Sequence, residues 1–319
     1  MMKNNKNAKF DTKYAADYLK SCGTLLIFVS SLCIVIFFSP MISEEMKKGL
    51  LLCYTAIIPS IFPFSILADL MLSYMHFELI LPLRRAFSRL FKINGYAISA
   101  FAIGLLCGFP LGVKISRDLY ISGKISKNEC ERLIGFSNNA SPAFVISGVG
   151  YALFGSIRIG VFLYILSFTS SILSGILFSV NEKPGTEAKI QSQIEFSLAD
   201  SIKNAAFSSL TICGFISIFS VFIGFLRTLS MPCYALPFLA SLLEVGNAAK
   251  IISESATLPY ALKLSLAAFA ISFSGFSVHL QAKSLLDGTN ISMTKYYLMK
   301  LFSAVLSFSL ALLIFLIYK

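Results

Sequence analysis

The sequence predicts an all-α polytopic membrane protein built from inverted structural repeats, each with a re-entrant hairpin and a broken helix. Of its 319 residues, 56% are hydrophobic and only 13% are charged. Several apolar runs reach the roughly 20 residues that a helix needs to cross a bilayer. Within these runs, glycines, prolines and clustered polar residues recur at corresponding places in the two halves of the chain. The composition therefore indicates a membrane protein, and the interruptions of its apolar runs indicate two repeats.

The charge of the chain fits a membrane protein. The formal net charge is +11, and the basic residues of membrane proteins collect in cytoplasmic loops. No basic patch with interleaved aromatic residues stands out, so we expect no nucleic-acid partner. The sequence has no H-E-x-x-H, no nucleotide-binding glycine motif and no G-x-S-x-G turn. We therefore expect neither a resident cofactor nor enzymatic activity.

Residues 1–45 are predicted to form a cytoplasmic arm and a first transmembrane anchor. The arm is rich in lysine up to residue 21, which holds the N-terminus in the cytoplasm. The hydrophobic run at 22–39 then enters the bilayer. A signal peptide is the alternative, but the leader is long and no small-x-small cleavage site follows, which favours an uncleaved anchor.

The rest of the chain divides into two repeats. The first repeat, 46–181, contains a proline-interrupted span (49–75), a basic surface helix (83–92), a hairpin (95–122), a broken helix (129–154) and a span (159–181). The second repeat, 201–319, contains a span (203–227), a hairpin (232–257), a broken helix (260–290) and a span (296–318). A polar linker at 182–200 joins them and opens with proline and glycine, which mark a loop.

The first hairpin is predicted from a helix-breaking sequence between two basic segments. Gly108-Phe109-Pro110-Leu111-Gly112 is a poor site for a continuous helix, because glycine and proline both destabilise helical backbone. A kinked span is the alternative. Basic residues at 83–92 and 114–132 flank the run on both sides, so a hairpin that returns to the cytoplasm fits the charges better. Lys114 either attracts an anion or anchors this hairpin.

Polar residues mark the remaining interruptions. Asn138, Asn139 and Ser141 precede Pro142 within an apolar run, and such groups usually face the bundle interior or a cavity. Hydrogen bonding between helices is the alternative. Glu244, Gly246 and Asn247 form the predicted tip of the second hairpin, and Ser274 and Ser277 mark the second break. A buried carboxylate at Glu244 needs a cation, a proton or a partner, and Lys250 is the alternative salt-bridge partner.

Each repeat makes three crossings, so the second is inverted relative to the first. Inverted repeats with discontinuous helices are typical of secondary transporters. The N-terminus of a half-helix suits an anion, and the carbonyls at a half-helix C-terminus suit a cation. The predicted substrate-binding residues are Gly108, Phe109, Pro110, Gly112, Asn138, Asn139, Ser141, Glu244, Gly246, Asn247, Ser274 and Ser277.

Three stretches carry a family resemblance. The segments 108–119, 131–142 and 243–247 resemble the YlbJ/SpoVV family of sporulation integral membrane proteins. These proteins carry a nucleoside-recognition or gate domain and are similar to concentrative nucleoside transporters. The resemblance extends over nearly the whole chain. It implies that a substrate lies between two hairpin tips and two unwound helices.

The resemblance also implies a function. The expected activity is secondary transport of a small anionic metabolite, dipicolinic acid, across the outer forespore membrane during sporulation. A nucleoside or other metabolite carrier is one alternative, and a non-transporting assembly protein of the same membrane is another. The resemblance does not decide whether a coupling ion such as sodium or a proton takes part, or whether the protein is a homo-oligomer.

Overall fold

A computed structural model describes residues 4–74, 81–183 and 197–317. Most of the predicted linker at 182–200 lies outside these ranges. The described residues are helical apart from turns, which confirms the all-α prediction. The helices are α1 (Asn4–Phe37), α2 (Ser39–Leu52), α3 (Ile58–Tyr74), α4 (Leu81–Phe91), α5 (Ile98–Cys107), α6 (Leu111–Ile121), α7 (Lys127–Ser137), α8 (Ile157–Leu177), α9 (Leu198–Thr228), α10 (Ala235–Leu243), α11 (Val245–Glu254), α12 (Tyr260–Phe273), α13 (Gly275–Leu286) and α14 (Thr294–Ile317). Two π-helices, π1 (Cys53–Ile57) and π2 (Ala143–Leu153), and a short 3₁₀ turn (Gly95–Ala97) complete the order.

The helices are numerous and apolar enough for a multi-pass membrane protein. Within the described ranges, four segments are long and apolar enough to cross a bilayer: α8, α9, the α12–α13 pair and α14. The count rises to six if two sharply bent pairs each form one span. These pairs, around α1–α2 and α4–α5, bend by 84° and 101°. The chain is therefore an integral membrane protein with several spans.

Two pairs of short helices reverse the chain direction. Only three residues separate α5 from α6, and the two helices pack side by side. Gly108 opens this turn with φ at +87°, a conformation that glycine adopts without a Cβ clash. Likewise α10 and α11 pack together on either side of Glu244 alone. Both helix pairs fall within the segments predicted as hairpins.

Two other helices are interrupted rather than reversed. Residues 138–142 separate α7 from π2, and Ser274 separates α12 from α13. Ser274 has φ at +74°, in the left-handed region. The last helix, α14, packs against α7, α8 and α12 and so contacts both interrupted helices. The inverted relation of the two halves and the side to which each hairpin opens stay predictions.

Candidate functional site

The tip of the first hairpin packs against the break between α7 and π2. A Cβ atom added to Gly112 would lie 2.3 Å from the carbonyl oxygen of Ser137. A Cβ atom added to Gly108 would lie 2.9 Å from the backbone nitrogen of Ser141. The glycines therefore allow the hairpin backbone to approach the unwound backbone directly. Pro110 is buried, and the ring centroid of Phe109 lies 6.3 Å from that of Phe144 in π2.

Side chains satisfy the carbonyl groups that α7 leaves unpaired at its C-terminus. The last carbonyls of a helix have no partner within that helix. The carbonyl of Phe136 accepts hydrogen bonds from Asn139 Nδ2 and from Ser171 Oγ, each at 2.7 Å. The next free carbonyl, that of Asn138, accepts a hydrogen bond from Lys300 Nζ. The break is thus held by an amide, a hydroxyl and an ammonium group.

Lys300 belongs to α14 and is 2% exposed. Among the described residues, no carboxylate forms an ion pair with it. Asn138 is completely buried and donates a 3.1 Å hydrogen bond from Nδ2 to the hydroxyl of Tyr296. Its Oδ1 atom has no hydrogen-bond partner within the described part of the chain. Asn138, Tyr296 and Lys300 form a buried polar cluster, which we call the central cluster.

The second break is capped in a similar way. His279 Nε2 lies 2.8 Å from the carbonyl oxygen of Phe273, the last residue of α12. A carbonyl only accepts, so this nitrogen carries the proton. The rings of His279 and Tyr296 lie 5.2 Å apart, which places the second break beside the central cluster. Ser274 Oγ donates to the carbonyl of Ile271, whereas Ser277 Oγ accepts from Gln281 Nε2.

The tip of the second hairpin is organised by Glu244. Its carboxylate accepts hydrogen bonds from the backbone N–H groups of Gly246 at 2.9 Å and Asn247 at 2.7 Å. Asn247 Nδ2 also donates to this carboxylate and to Ser220 Oγ of α9. A carboxylate at the N-terminus of α11 is favoured by the helix dipole. Glu244 is therefore the N-cap of α11, the second helix of its own hairpin.

The second tip also contacts its own break. A Cβ atom added to Gly275 would lie 2.9 Å from the carbonyl oxygen of Leu243 and 3.0 Å from the Cα atom of Glu244. Each hairpin tip thus packs on the interrupted helix that follows it in the chain. The alternative that Lys250 bridges to Glu244 is wrong, because Lys250 lies 4.0 Å from Glu254 instead.

Lys114 forms a buried ion pair that the sequence analysis did not consider. Its Nζ atom lies 2.5 Å from Oδ1 of Asp69, which is completely buried in α3. This ion pair ties the second arm of the first hairpin to α3. The sequence does not indicate this partner, because it lies 45 residues earlier in the chain, beyond the reach of any local spacing rule.

Two cavities border the hairpins. One of about 200 Å³ is lined by Pro110 at the first tip and by residues of α9 and α13. The other, about 490 Å³, lies beside the second hairpin and is lined by Lys48, Arg227 and Lys250, among others. Neither is lined by Asn138 or Lys300. Asn138, Tyr296 and Lys300 are each at most 2% exposed, so the central cluster is closed in this conformation.

The first hairpin offers a direct test of this packing. We expect Gly112→Ala to lower the free energy of unfolding by about 1–3 kcal/mol, the usual cost of overpacking a tight contact. The matched control is Gly214→Ala in α9, because a Cβ atom there would meet no heavy atom within 4 Å. Thermal unfolding of both purified variants in detergent provides the measurement. Equal stability of the two variants would contradict the close approach.

The structure brings together some of the predicted site residues and adds others. Gly108, Gly112, Asn138 and Ser141 meet at the first break, and the Glu244 tip meets the second break at Gly275. Tyr296 and Lys300 are site residues that the sequence interpretation missed. The sequence feature that could have identified Lys300 is its position after the start of an apolar run, because ionisable residues inside spans are rare and usually functional.

Comparison with known proteins gives one relative. No protein-family model matches the chain, and no solved structure does so significantly. The chain is 25% identical to the sporulation integral membrane protein YlbJ of Bacillus subtilis (strain 168). The match extends over 333 aligned residues, which cover 90% of this chain and 81% of the relative. Over most of its length the chain is therefore similar to a sporulation integral membrane protein.

Proposed function

We propose that this sporulation membrane protein is a secondary transporter of a small anionic metabolite. Dipicolinate is the first candidate substrate, because the family resemblance implies it and because a planar dianion suits a site of ammonium, amide and hydroxyl groups. The proposed location is the outer forespore membrane, with the N-terminus in the cytoplasm. The predicted inverted repeats give this proposal its mechanism of alternating access.

The observation that carries the proposal is the buried ammonium of Lys300. A buried charge is costly unless another charge or a set of hydrogen bonds compensates it. Lys300 has one hydrogen bond, to the carbonyl of Asn138, and no carboxylate partner among the described residues. An anionic substrate bound at the break would supply the missing negative charge.

The backbone at the break favours an anion as well. π2 begins at Ala143, directly after the break, and a helix N-terminus carries partial positive charge and unpaired N–H groups. The ammonium of Lys300 has three donors, and within the described chain only one hydrogen bond, to the carbonyl of Asn138, uses them. We place the substrate between this N-terminus, Asn138 and the ammonium of Lys300.

Access to this position requires the first hairpin to move. The glycines of the hairpin lie against Ser137 and Ser141, so they cover the break. Displacement of the tip would open the central cluster, and the cavity of about 200 Å³ beside Pro110 offers space on that path. Hairpin movement against a fixed site is one way in which repeat-based transporters alternate access.

Uptake of labelled dipicolinate into liposomes that contain the purified protein tests the function. We expect saturable uptake that excess uridine does not reduce. Inhibition by uridine would indicate that the protein transports nucleosides instead. Absence of flux for both compounds, from protein shown to be folded, would contradict the transporter proposal and favour a membrane assembly role.

A further inference from the structure

The C-terminus of α7 is a cation-binding position that a side chain already occupies. Half-helix C-termini carry partial negative charge on their unpaired carbonyls, and interrupted helices of transporters coordinate cations there. In this chain the carbonyl of Asn138, which is the C-cap of α7, receives Lys300 Nζ. The position thus holds a positive charge that is covalently attached to α14.

We propose that Lys300 provides a tethered cation at this position and that the chain therefore requires no bound alkali-metal ion there. The part of this inference that concerns transport rests on the proposed function, because it predicts sodium-independent flux. The part that concerns the site is independent of the proposed function. It predicts how cations change the thermal stability of the protein, whether or not the protein transports anything.

The surroundings of Lys300 support a structural role for its charge. The carbonyl of Asn138 accepts the hydrogen bond of Lys300, and the hydroxyl of Tyr296 and the imidazole of His279 belong to the same polar region. None of these groups carries a negative charge in its ordinary protonation state. Within the described chain, no carboxylate forms an ion pair with Lys300. The partial charge of the α7 terminus is therefore the main negative potential that faces the ammonium. A free cation would meet the same potential if the ammonium were removed.

Another buried lysine, Lys114, serves as a comparison. Lys114 is also largely buried, but it lies 2.5 Å from a full carboxylate, that of Asp69. Lys114 thus faces a full negative charge, whereas the partner of Lys300 is a carbonyl oxygen. Oxygen atoms of that kind are ordinary ligands of hard cations.

Thermal unfolding of the purified full chain in different salts tests the site. Lys300→Ala removes three methylene groups and the ammonium, which n-propylammonium replaces atom for atom. We expect this variant to have a lower Tm than the wild type in N-methylglucamine chloride. Sodium chloride or n-propylammonium chloride at equal ionic strength should raise its Tm by about 2–4 °C. Propanol, which is neutral and of similar size, should not.

Two comparisons make the experiment decisive. The wild type and Lys295→Ala should each unfold at the same temperature in sodium and in N-methylglucamine. Lys295 is a lysine of the same helix that is about one-third exposed and bonds Asn128. If Lys300→Ala does not fold, Lys300→Gln, which retains bulk without charge, is expected to show the sodium response. A saturable sodium stabilisation of the wild type would overturn the proposal, and so would a Lys300 variant that responds to no cation.

The transport readout separates this inference from the proposed function. Flux in sodium-free liposomes should equal flux in sodium for the wild type. A protein that shows no flux at all but shows the cation response of Lys300→Ala would refute the transporter and leave the tethered cation standing. Wild-type flux that requires sodium, together with sodium-dependent stability of the wild type, would support the transporter and overturn the tethered cation.

Discussion

Lys300→Met is expected to weaken anion uptake strongly while the protein remains inserted and folded. Methionine has a similar length and retains the apolar contacts of the lysine stem, but it removes the positive charge that faces the break. Loss of one partner of a buried charge pair costs about 2–5 kcal/mol. That range corresponds to a loss in substrate affinity of about 30-fold or more. The measurement is the initial rate of labelled dipicolinate uptake over a range of concentrations.

The matched control for this variant is Lys295→Met. Lys295 lies one turn and a half earlier on α14, is about one-third exposed and contacts Asn128 and Glu182 rather than the break. Uptake by Lys295→Met should remain close to that of the wild type. Normal uptake by Lys300→Met would place the substrate elsewhere and would remove the observation on which the anion proposal depends.

The sequence predicts the interruptions well, because glycine and proline have local backbone consequences. The turn at 108–110 and the break at 138–142 fall where Gly108-Phe-Pro and Asn-Asn-Ala-Ser-Pro indicate. Glu244 also lies at the tip where it was expected. Its role as an N-cap was not foreseen, because glutamate is not among the usual N-cap residues.

Residues that act through distant partners could not be predicted in this way. Lys300 contacts Asn138, which lies 162 residues earlier in the chain. In the sequence, Lys300 lies close to the start of the predicted span at 296–318, where a lysine is also expected at the cytoplasmic border. At the end of a span, the positive-inside rule predicts that a lysine lies in the cytoplasm. The rarity of ionisable residues inside spans instead predicts that such a lysine is a functional residue. Only the packing of α14 against α7 decides between them.

Glu244→Ala is expected to destabilise the second hairpin strongly. The substitution leaves the partly buried N–H groups of Gly246 and Asn247 without their acceptor. Hydrogen bonds to a charged group contribute about 1.5–3 kcal/mol each, so we expect a loss of at least about 2 kcal/mol in unfolding free energy. Thermal or denaturant unfolding in detergent measures it, with proteolysis at the hairpin as a local readout.

Two variants show whether this carboxylate is a cap or an ion-coupling group. Aspartate reaches the same N–H groups and is a preferred N-cap, so Glu244→Asp should recover most of the lost stability. Glu254→Ala removes an exposed acid at the other end of α11, 4.0 Å from Lys250, and should change stability by less than about 1 kcal/mol. If Glu244→Ala were as stable as the wild type but had lost sodium- or proton-dependent flux, Glu244 would be an ion-coupling group. Because its two oxygens already accept three hydrogen bonds from the hairpin, we expect the loss of stability instead.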